Sequence, residues 1–456
     1  MNFNQINNVY FIGIGGIGMS ALARYFHSQG KKVEGYDKTS TELTRQLESE
    51  GIKVHYEDKG LEVLDWYSHI DTLIIYTPAI PAEFGELKAF QEHHFNVIKR
   101  AKALGIISDE FETFAVAGTH GKTTTSTILA HVLNLTEEKC NAFIGGISTN
   151  YHSNIILNPE SHRIVVEADE FDRSFLNLSP NYAIITSIDS DHLDIYGDGS
   201  HLIKSFNDFI NLMKYPGTLI INSSIDLDQF EFENDLRIIT YGVENRSDYR
   251  LHALKYENGR FYFDILGMAD IYRNVEFGLP GQHNAENATA VFGLCIQLGV
   301  PEEIIRKAFA GFKGVKRRFD FRVRKEDIVV IDDYAHHPTE IDAFLRSVKK
   351  LYPNKKITVI FQPHLFSRTR DFMDGFADAL GLADELFLLP IYPARELPIE
   401  GVTSEVLLEM VNLDDKEMSS LSTIVDTIKD RDNEVICILG AGDIDTIVEP
   451  ISQLYS

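Results

Sequence analysis

A glycine-rich stretch at residues 114–127, FAVAGTHGKTTTST, constrains the fold of this chain more than any other feature. The apolar residues 113–117 predict a buried strand, and the spacing of residues 123–133 predicts a helix. The turn between them contains Gly118, Gly121 and Lys122. Strand-to-helix turns of this kind are typical of α/β domains that bind phosphate at a helix N-terminus.

The residue types in this turn suit a triphosphate. Glycine lets backbone N–H groups approach phosphate oxygens, Lys122 supplies a full positive charge, and the hydroxyl of Thr123 is a possible Mg²⁺ ligand. The general P-loop pattern has a glycine where this chain has Val116, so the stretch is a shortened form, GTHGKTT. The competing interpretation is an ordinary glycine-rich turn with a solvated lysine.

Length and composition limit the class of protein. The chain has 456 residues, a length that predicts about three domains. Its formal charge of −25 disfavours nucleic acid and anionic membranes as partners, and neither is expected. Three cysteines lie far apart, and neither a signal peptide nor an apolar run of about 18 residues is found. We expect a cytoplasmic monomer or homodimer.

Residues 1–104 predict a Rossmann-like domain. Residues 8–12 form an apolar strand that runs into GIGGIG, and a helix and a second strand then lead to Asp37. This GxGxxG pattern predicts a nucleotide diphosphate site with Asp37 near a ribose hydroxyl, but it does not by itself specify NAD or FAD. Residues 77–80, TPAI, follow a later strand, at the edge of an α/β sheet where ligands bind.

Residues 105–315 predict a central P-loop ATPase-like domain. The predicted strand at residues 163–166 runs into Glu167, and the strand at residues 182–186 precedes a segment that contains His192. Two strands therefore deliver oxygen ligands to the edge where phosphates lie, and Mg²⁺ prefers such ligands. Glu167 is the candidate metal ligand, and His192 is either a ligand or only hydrogen-bonded. The neighbouring carboxylates are expected to support the ligands or to be solvated: Asp169, Glu170 and Asp172.

The end of this domain has features with open interpretations. Residues 216–277 alternate in polarity and predict an antiparallel β insertion. His283 and Asn287 share one face of a predicted helix, where they either read an adenine edge or cap the helix. Arg317 and Arg318, in the basic run KGVKRRF, either stabilise a transferring phosphoryl group or form a solvated hinge.

Residues 316–456 predict a second Rossmann-like domain. Polar loops follow its predicted strands, and the first loop begins with the carboxylates of Asp332 and Asp333. The predicted strands are residues 327–331, 357–361, 385–389 and 434–439. The predicted fold class is therefore α/β with three consecutive domains. Two phosphate loops in successive domains favour a ligase or a kinase over a dehydrogenase, because a ligase can use the same cations for phosphoryl transfer and for oxyanion stabilisation.

Several stretches carry a family resemblance across all three predicted domains. They are GIGGIGMSALA, GTHGKTTT, EADEFDRSFLNLSPNYAIITSIDSDHLDIY, LPGQHNAENA, KRRF, DDYAHHPTE and FQPHLFSRTRDF. Together they resemble the Mur ligases of peptidoglycan synthesis, and in particular the alanine-adding branch. The resemblance implies ATP- and Mg²⁺-dependent formation of an amide between the lactyl carboxylate of UDP-N-acetylmuramate and L-alanine, through an acyl phosphate. It also implies a C-terminal domain that closes over the site.

The resemblance also implies roles for individual residues. The ATP site would comprise Gly118, Thr119, His120, Gly121, Lys122, Thr123, Thr124, His283, Asn287, Arg317 and Asp333. The UDP-sugar site would comprise Gly15, Gly16, Ile17, Gly18, Asp37, His55, Thr77, Ala79 and Ile80. The amino acid would meet Tyr334, His336 and Arg368. Mg²⁺ would be held by Thr123, Glu167 and His192, and catalysis would depend on Lys122, Glu167, His192 and Arg318.

Two departures from the family pattern are visible. Other Mur ligases carry a carbamoylated lysine about one helix after the DHxD segment, but Lys204 is out of position, so no carbamate is expected. Relatives often have a second arginine where this chain has Leu365, which leaves fewer cations for the carboxylate of the amino acid. One rival function is the recycling ligase that adds a murein tripeptide. A second is a non-catalytic NAD sensor, which would make Lys122 and Glu167 vestigial.

Overall fold

The computed structural model describes residues 3–189, 199–257, 260–394 and 396–456. The chain divides into two compact units. The first comprises Met1–Leu251, Ile265–Tyr272 and Asn287–Phe309, and the second comprises His252–Asp264, Arg273–Glu286 and Ala310–Ser456. No helix in the described ranges is long and apolar enough to cross a membrane.

The first sheet lies in the first unit and is entirely parallel, in the order β3-β2-β1-β4-β5. Its strands are β1 Asn8–Ile12, β2 Lys32–Tyr36, β3 Lys53–His55, β4 Thr72–Tyr76 and β5 Asn96–Lys99. Its helices are α1 Ile17–Ser28, α2 Glu42–Ser49, α3 Gly85–Glu92 and α4 Arg100–Ser108. The strand order reverses between β1 and β4. The loops that follow these two strands therefore flank a crevice of the kind in which α/β proteins bind ligands.

The second sheet contains the predicted phosphate loop. Within the first unit its strand order is β12-β11-β10-β6-β9-β7-β8. The strands are β6 Glu112–Ala117, β7 Asn141–Ser148, β8 Ser153–Ile156, β9 Arg163–Glu167, β10 Tyr182–Ile185, β11 Thr218–Asn222 and β12 Arg237–Gly242, and the helices are α5 Lys122–Asn134 and α6 Gly199–Asn211. Since β6 pairs in parallel with both β9 and β10, the loops after these three strands meet at one edge.

The prediction of an antiparallel insertion from residue 216 is wrong for its first two strands. β11 pairs in parallel with β10, and β12 pairs in parallel with β11. The reason is that α6 carries the chain back across the sheet before β11, and Leu219 to Ile221 are fully buried rather than alternating in exposure. The chain then passes between the two units within the following elements: β13 Tyr249–Glu257, β14 Arg260–Leu266, β15 Ile271–Phe277, α7 Gln282–Gln297 and α8 Glu302–Gly311.

The third sheet lies in the second unit, in the order β16-β17-β21-β18-β19-β20. Its strands are β16 Asp320–Arg324, β17 Val329–Asp333, β18 Ile357–Phe361, β19 Glu385–Leu388, β20 Lys416–Met418 and β21 Val435–Leu439. Its helices are α9 Pro338–Leu351, α10 Phe366–Asp371, α11 Met373–Leu380, α12 Ser404–Met410, α13 Ile424–Lys429 and α14 Val448–Leu454. The edge strand β16 is antiparallel to β17, and the other pairs are parallel.

The sequence predicted that two carboxylates of this sheet begin a loop, but the structure places both of them in a strand. Asp332 and Asp333 are the last residues of β17, opposite Ile438 and Leu439 of β21, and both are buried. The strand continues through them because their backbone groups complete the parallel ladder. The α/β fold class with three successive sheets is confirmed, and the domain limits 1–104, 105–315 and 316–456 stay a prediction. The cysteines are free and buried, as expected: Cys140, Cys295 and Cys437.

Candidate functional site

The loop after β6 has the backbone that a phosphate site requires. Gly118 and Gly121 adopt positive φ angles of 132° and 80°. A Cβ atom on Gly118 would lie 2.1 Å from Oγ1 of Thr186, so only glycine fits there. Lys122 is the first residue of α5, which places its charge at the positive end of that helix.

Lys122 is held by a buried carboxylate. Its Nζ atom donates to both carboxylate oxygens of Glu170, at 2.8 and 2.9 Å, and to the carbonyl oxygen of Gly118 at 2.8 Å. Glu170 is fully buried. Burial lowers the pKa of Lys122, but the carboxylates of Glu170, Asp169 and Glu167 outweigh this effect and raise the pKa above its ordinary value. The ammonium is therefore charged and held in place.

The loop after β10 fixes the other side of the phosphate loop. The backbone N–H of Thr119 donates to the carbonyl of Ser187 at 3.0 Å, and that of His120 donates to the Ser187 hydroxyl at 2.9 Å. The backbone N–H of Asp189 in turn donates to the Thr119 hydroxyl at 3.0 Å. His120 Nε2 also lies 3.4 Å from a carboxylate oxygen of Asp189. These bonds fix the loop without using the side chain of Lys122.

The residues near this loop suit a magnesium ion. Glu167 ends β9, and the hydroxyl of Thr123 lies in the first turn of α5. A Cβ atom on Gly145 would lie 2.2 Å from a carboxylate oxygen of Glu167, so glycine leaves room for this carboxylate. No group of three or more potential metal ligands is present in the described part of the chain. Mg²⁺ commonly keeps waters and substrate phosphates as ligands, so two hard oxygen donors fit it. His192 lies outside the described residues.

Three more of the predicted ATP residues lie in α7 and α5. Asn287 belongs to the first unit, and its side-chain oxygen would be 3.0 Å from a Cβ atom on Gly121, so it contacts the phosphate loop. His283 belongs to the second unit, where burial lowers its pKa to about 4, so it is neutral near pH 7. Thr124 is buried in α5.

The first glycine-rich loop lies in the crevice of the first sheet. The backbone N–H of Gly15 donates to a carboxylate oxygen of Asp37 at 2.7 Å. Asp37 thus bonds one loop donor, and its predicted position near a ribose hydroxyl stays a prediction. A Cβ atom on Gly13 would lie 2.6 Å from Cγ2 of Thr77 and 3.6 Å from Cδ1 of Ile80. The loops after β1 and β4 are therefore in contact, which agrees with the sheet order.

His55 belongs to a buried polar network in the same domain. The Tyr10 hydroxyl lies 2.6 Å from Nε2 of His55 and donates to a carboxylate oxygen of Glu86 at 2.6 Å. The backbone N–H of Lys59 donates to the other Glu86 oxygen at 2.9 Å. Glu86 is fully buried, and burial raises its pKa above the ordinary value. His55 is therefore positioned by Tyr10, and Glu86 orders the segment that follows β3.

The linker arginines of the second unit surround one aromatic ring. The guanidinium groups of Arg317 and Arg318 each lie 5.0 Å from the ring centre of Tyr334. Arg317 donates to the carbonyl of Gly440 at 2.6 Å, and Arg318 lies 3.9 Å from Glu340. Both arginines are therefore held against protein groups, and the choice between a hinge and a phosphate-binding role stays a prediction.

The aspartates beside these arginines are buried. The Asp333 carboxylate accepts the backbone N–H groups of Phe319 and Ala335, at 2.6 and 2.8 Å. Burial raises the pKa of Asp333 to about 6 and that of Asp332 to about 7. The structure thus gives Asp333 a local role in ordering the backbone, and its predicted contact with the ribose stays a prediction.

The predicted amino-acid residues lie at the edge of the third sheet. Nδ1 of His336 lies 2.9 Å from the carbonyl oxygen of Tyr334 and 3.3 Å from Glu340. Arg368 is buried, and its Nη1 lies 3.4 Å from Nδ1 of His364. Burial, together with the charge of Arg368, lowers the pKa of His364 to about 4. Because His364 is neutral near pH 7, Arg368 supplies the positive charge of this pair.

Two residues of the first unit were missed in the sequence. Glu170 was grouped with the supporting or solvated carboxylates, yet it is the partner of Lys122. Arg100 was passed over, although it packs on Gly18: a Cβ atom there would lie 2.8 Å from its Nη1. The available signal for Arg100 is its position directly after β5, a strand of a parallel sheet that ends at the basic residue Lys99.

Comparison with known proteins matches this geometry to one family. Family models match three successive segments: the Mur ligase family catalytic domain at residues 8–112, the Mur ligase middle domain at residues 116–295, and the Mur ligase glutamate ligase domain at residues 317–443. The chain is 46% identical to a UDP-N-acetylmuramate–L-alanine ligase of Christiangramia forsetii, over 99% of this chain and 98% of the relative. The chain belongs to the Mur ligase family.

Two further proteins support the same assignment of this Mur ligase. A UDP-N-acetylmuramate–L-alanine ligase of Flavobacterium psychrophilum is 48% identical over 99% of each chain. The crystal structure of a UDP-N-acetylmuramate–alanine ligase from Thermotoga maritima superposes with a TM-score of 0.83 at 29% identity, covering 98% of this chain and 99% of that one. The family resemblance predicted from the sequence motifs is thereby confirmed.

Proposed function

We propose that this Mur ligase joins L-alanine to the lactyl carboxylate of UDP-N-acetylmuramate, with ATP converted to ADP and phosphate. The observation that carries the proposal is the Lys122 site in a chain whose curated relatives, at 46% and 48% identity over nearly full length, are named UDP-N-acetylmuramate–L-alanine ligases. The product, UDP-N-acetylmuramoyl-L-alanine, is an intermediate of peptidoglycan synthesis.

The first chemical step is phosphoryl transfer. An oxygen of the lactyl carboxylate attacks the γ-phosphorus of ATP, the bond to the β-γ bridging oxygen breaks, and an acyl phosphate and ADP form. Lys122 stabilises the charge on the transferring group, and the backbone N–H groups of Gly121, Lys122 and Thr123 bind the phosphate oxygens. Glu167, Thr123 and His192 would hold a Mg²⁺ ion, which would neutralise part of the phosphate charge.

The second step forms the amide. The amine of L-alanine attacks the acyl carbon, a tetrahedral oxyanion forms, and inorganic phosphate leaves as the carbonyl is restored. The cations that served the first step also stabilise this oxyanion, so Lys122 contributes to both steps. Arg318 is the proposed phosphate-binding arginine from the linker.

The residues that hold the amino acid are proposed from the third sheet. Arg368 is buried beside a neutral His364, which suits it to bind the carboxylate of alanine by charge-assisted hydrogen bonds. Tyr334 and His336 are the proposed neighbours of the methyl and amino groups. Leu365 supplies no second cation, so Arg368 carries most of the carboxylate binding.

ADP release that depends on both UDP-N-acetylmuramate and L-alanine tests the proposed function. Purified protein with UDP-N-acetylmuramate, L-alanine, Mg²⁺ and ATP should release ADP, and omission of either acceptor substrate should stop the release. The murein tripeptide in place of L-alanine should give less than a tenth of that rate. ADP release with the tripeptide alone would favour the recycling ligase. Calorimetry in which NAD binds and the UDP-sugar does not would favour the sensor.

We expect the enzyme to act in the cytoplasm, as a monomer or a homodimer. Support comes from the acidic net charge of −25 and the three free, buried cysteines, which suit a reducing compartment. Sedimentation velocity with and without both nucleotides measures the oligomeric state. Limited proteolysis tests the proposed domain limits 1–104, 105–315 and 316–456, because cleavage should concentrate near the two junctions.

A further inference from the structure

One arginine beside the first glycine-rich loop has no role in the activity described so far. Arg100 is the first residue of α4 and directly follows β5. Its side chain is partly buried, and it forms no hydrogen bond or ion pair with any of the described residues. A partly buried guanidinium that stays unpaired has a strong requirement for an acceptor, because five N–H donors are then left to water alone.

The surroundings of Arg100 set it apart from the other cations nearby. Lys99, the preceding residue, is paired with Asp172 at 2.9 Å. Arg24, on α1, is paired with Glu50 at 2.7 Å and donates to Asn154. Arg100 is therefore the basic side chain, of these three, that is left available to a ligand.

Arg100 lies next to Gly18, the last residue of the loop at residues 13–18. A Cβ atom on Gly18 would lie 2.8 Å from Nη1, 3.1 Å from Cδ and 3.4 Å from Cζ of Arg100. The guanidinium thus packs against the first turn of α1, where backbone N–H groups favour an anion. The start of α4, a helix of nine residues, adds partial positive charge at the same place.

Arg100 also lines a small cavity that reaches the carboxylates of the second sheet. The cavity lies within the first unit. Its lining includes three residues of α4 and three residues at or after the end of β9: Arg100, Ala101, Leu104, Glu167, Asp169 and Phe175. In the described part of the chain, Arg100 forms no ion pair with Glu167 or Asp169. The cavity has a volume of about 10 Å³, which suits a single water rather than a substrate group, so it shows only that Arg100 lies close to the proposed metal ligand Glu167.

We infer that Arg100 binds an oxyanion of the sugar nucleotide. The oxyanion is either an oxygen of the diphosphate at the glycine loop or the lactyl carboxylate that is to be phosphorylated. This inference rests on the proposed function, since it assigns a residue to the same substrate. The glycine at position 18 follows from it, because any larger side chain would displace the guanidinium.

Isothermal titration calorimetry with the full chain tests the inference. UDP-N-acetylmuramate, UDP-N-acetylglucosamine and an ATP analogue are titrated separately into wild type, Arg100→Ala, Arg100→Lys and Lys102→Ala. Lys102 lies two residues further along α4 and is exposed, so Lys102→Ala removes the same charge without touching the loop. Thermal unfolding of each variant establishes that it folds.

We expect Arg100→Ala to bind UDP-N-acetylmuramate at least tenfold more weakly than wild type, Arg100→Lys to lie between the two, and Lys102→Ala to match wild type within twofold. Affinity for the ATP analogue should stay the same in all four proteins. An equal loss for UDP-N-acetylglucosamine identifies the diphosphate, and a loss confined to the muramyl nucleotide identifies the carboxylate.

Two other results have opposite meanings. If wild type binds UDP-N-acetylmuramate and Arg100→Ala binds it equally well, the role of Arg100 is refuted while the proposed function stands. If wild type does not bind the muramyl nucleotide at all, the proposed function fails and the inference fails with it. Should Arg100→Ala not fold, Arg100→Lys against Lys102→Ala gives the same comparison.

Discussion

The first unit contains two glycine-rich loops that share one architecture and differ in their side chains. Each follows a central parallel strand, at the point where the strand order reverses, and each leads into a helix. The loop at residues 13–18 contains no lysine, and its nearest cation, Arg100, comes from another helix. The loop at residues 118–122 carries Lys122 itself, bound to the buried Glu170.

The difference indicates how one backbone device serves two kinds of phosphate chemistry. Backbone N–H groups and a helix start are enough to bind a phosphate that stays unchanged. A phosphoryl group that moves develops charge, and a fixed full cation stabilises that charge far better than a partial one. We therefore expect the first loop to determine affinity for the sugar nucleotide and the second loop to determine rate.

The largest expected effect is that of Lys122→Ala. Removing this cation should lower kcat by about 10² to 10³ or more, because it acts on charge that develops during transfer. Affinity for UDP-N-acetylmuramate should change less than threefold, because the first loop is intact. Steady-state ADP release gives the first quantity and calorimetry the second.

One outcome of the Lys122→Ala experiment would contradict the prediction. A variant that keeps more than a tenth of wild-type activity would show that the lysine is not the phosphoryl-transfer cation. Preserved binding of the UDP-sugar is the control for folding, and it is needed because the substitution leaves the Glu170 carboxylate buried without its lysine.

Replacing one glycine in each loop with alanine tests whether the two loops are functionally separate. Gly118→Ala places a methyl group 2.1 Å from Thr186 Oγ1 at φ +132°, and Gly13→Ala places one 2.6 Å from Thr77 Cγ2 at φ +87°. We expect Gly118→Ala to weaken ATP binding by about tenfold or more and to spare the UDP-sugar. Gly13→Ala should do the reverse.

Gly30→Ala is the matched control for these glycines. Gly30 has φ +75° but no neighbouring atom within 4 Å of an added Cβ, so the substitution adds backbone strain without a steric clash. It should lower stability slightly and leave both affinities unchanged. If either loop substitution reduced both affinities equally, the proposal that each loop binds a different nucleotide would be wrong.

Glu170→Gln tests the ion pair that distinguishes the second loop. We expect it to lower the free energy of unfolding by about 2 kcal/mol without ligand, because a buried ammonium loses its charged partner. An ATP analogue should reduce the deficit by offering new anionic partners. Urea unfolding with and without the analogue measures both effects. Asp172→Asn, in the exposed pair with Lys99, is the control and should cost about 0.5 kcal/mol or less.

The smallest expected effect is that of Glu86→Gln, which replaces a buried carboxylate in the domain of the first loop. Burial raises the pKa of Glu86 above its unfolded value, so the protonated acid stabilises the fold below the unfolded pKa, and this stabilisation is lost as pH rises through the folded pKa. The variant should differ from wild type by about 1 kcal/mol or less and should gain relative to wild type between pH 5 and pH 8.

Urea unfolding at both pH values tests this dependence. Glu92→Gln, at an exposed position of the same helix α3, provides the comparison that removes general charge effects. A relative stability of Glu86→Gln that falls with rising pH would contradict the assigned direction of the Glu86 shift.

Local patterns in the sequence predicted most of the central strands, the two glycine-rich loops and the position of Glu167 at the end of β9, because each depends on residues adjacent in the chain. The direction of β11 and β12 was missed, since whether a strand runs parallel depends on where the connecting α6 returns the chain. Glu170 and Arg100 were missed for a related reason. Glu170 contacts Lys122, which lies 48 residues away in the sequence, and Arg100 contacts Gly18, which lies in another helix. Both contacts are formed only when the chain is folded.

The pairing of Lys122 with Glu170 has a consequence for selectivity in a crowded cell. A bare ammonium at a helix start would attract any small anion, whereas this one is already balanced by a carboxylate that cannot leave. Inorganic phosphate or a monophosphate brings too little charge to compete with that carboxylate, and a triphosphate brings enough. We therefore expect the ligand-free protein to bind inorganic phosphate weakly and a triphosphate more strongly.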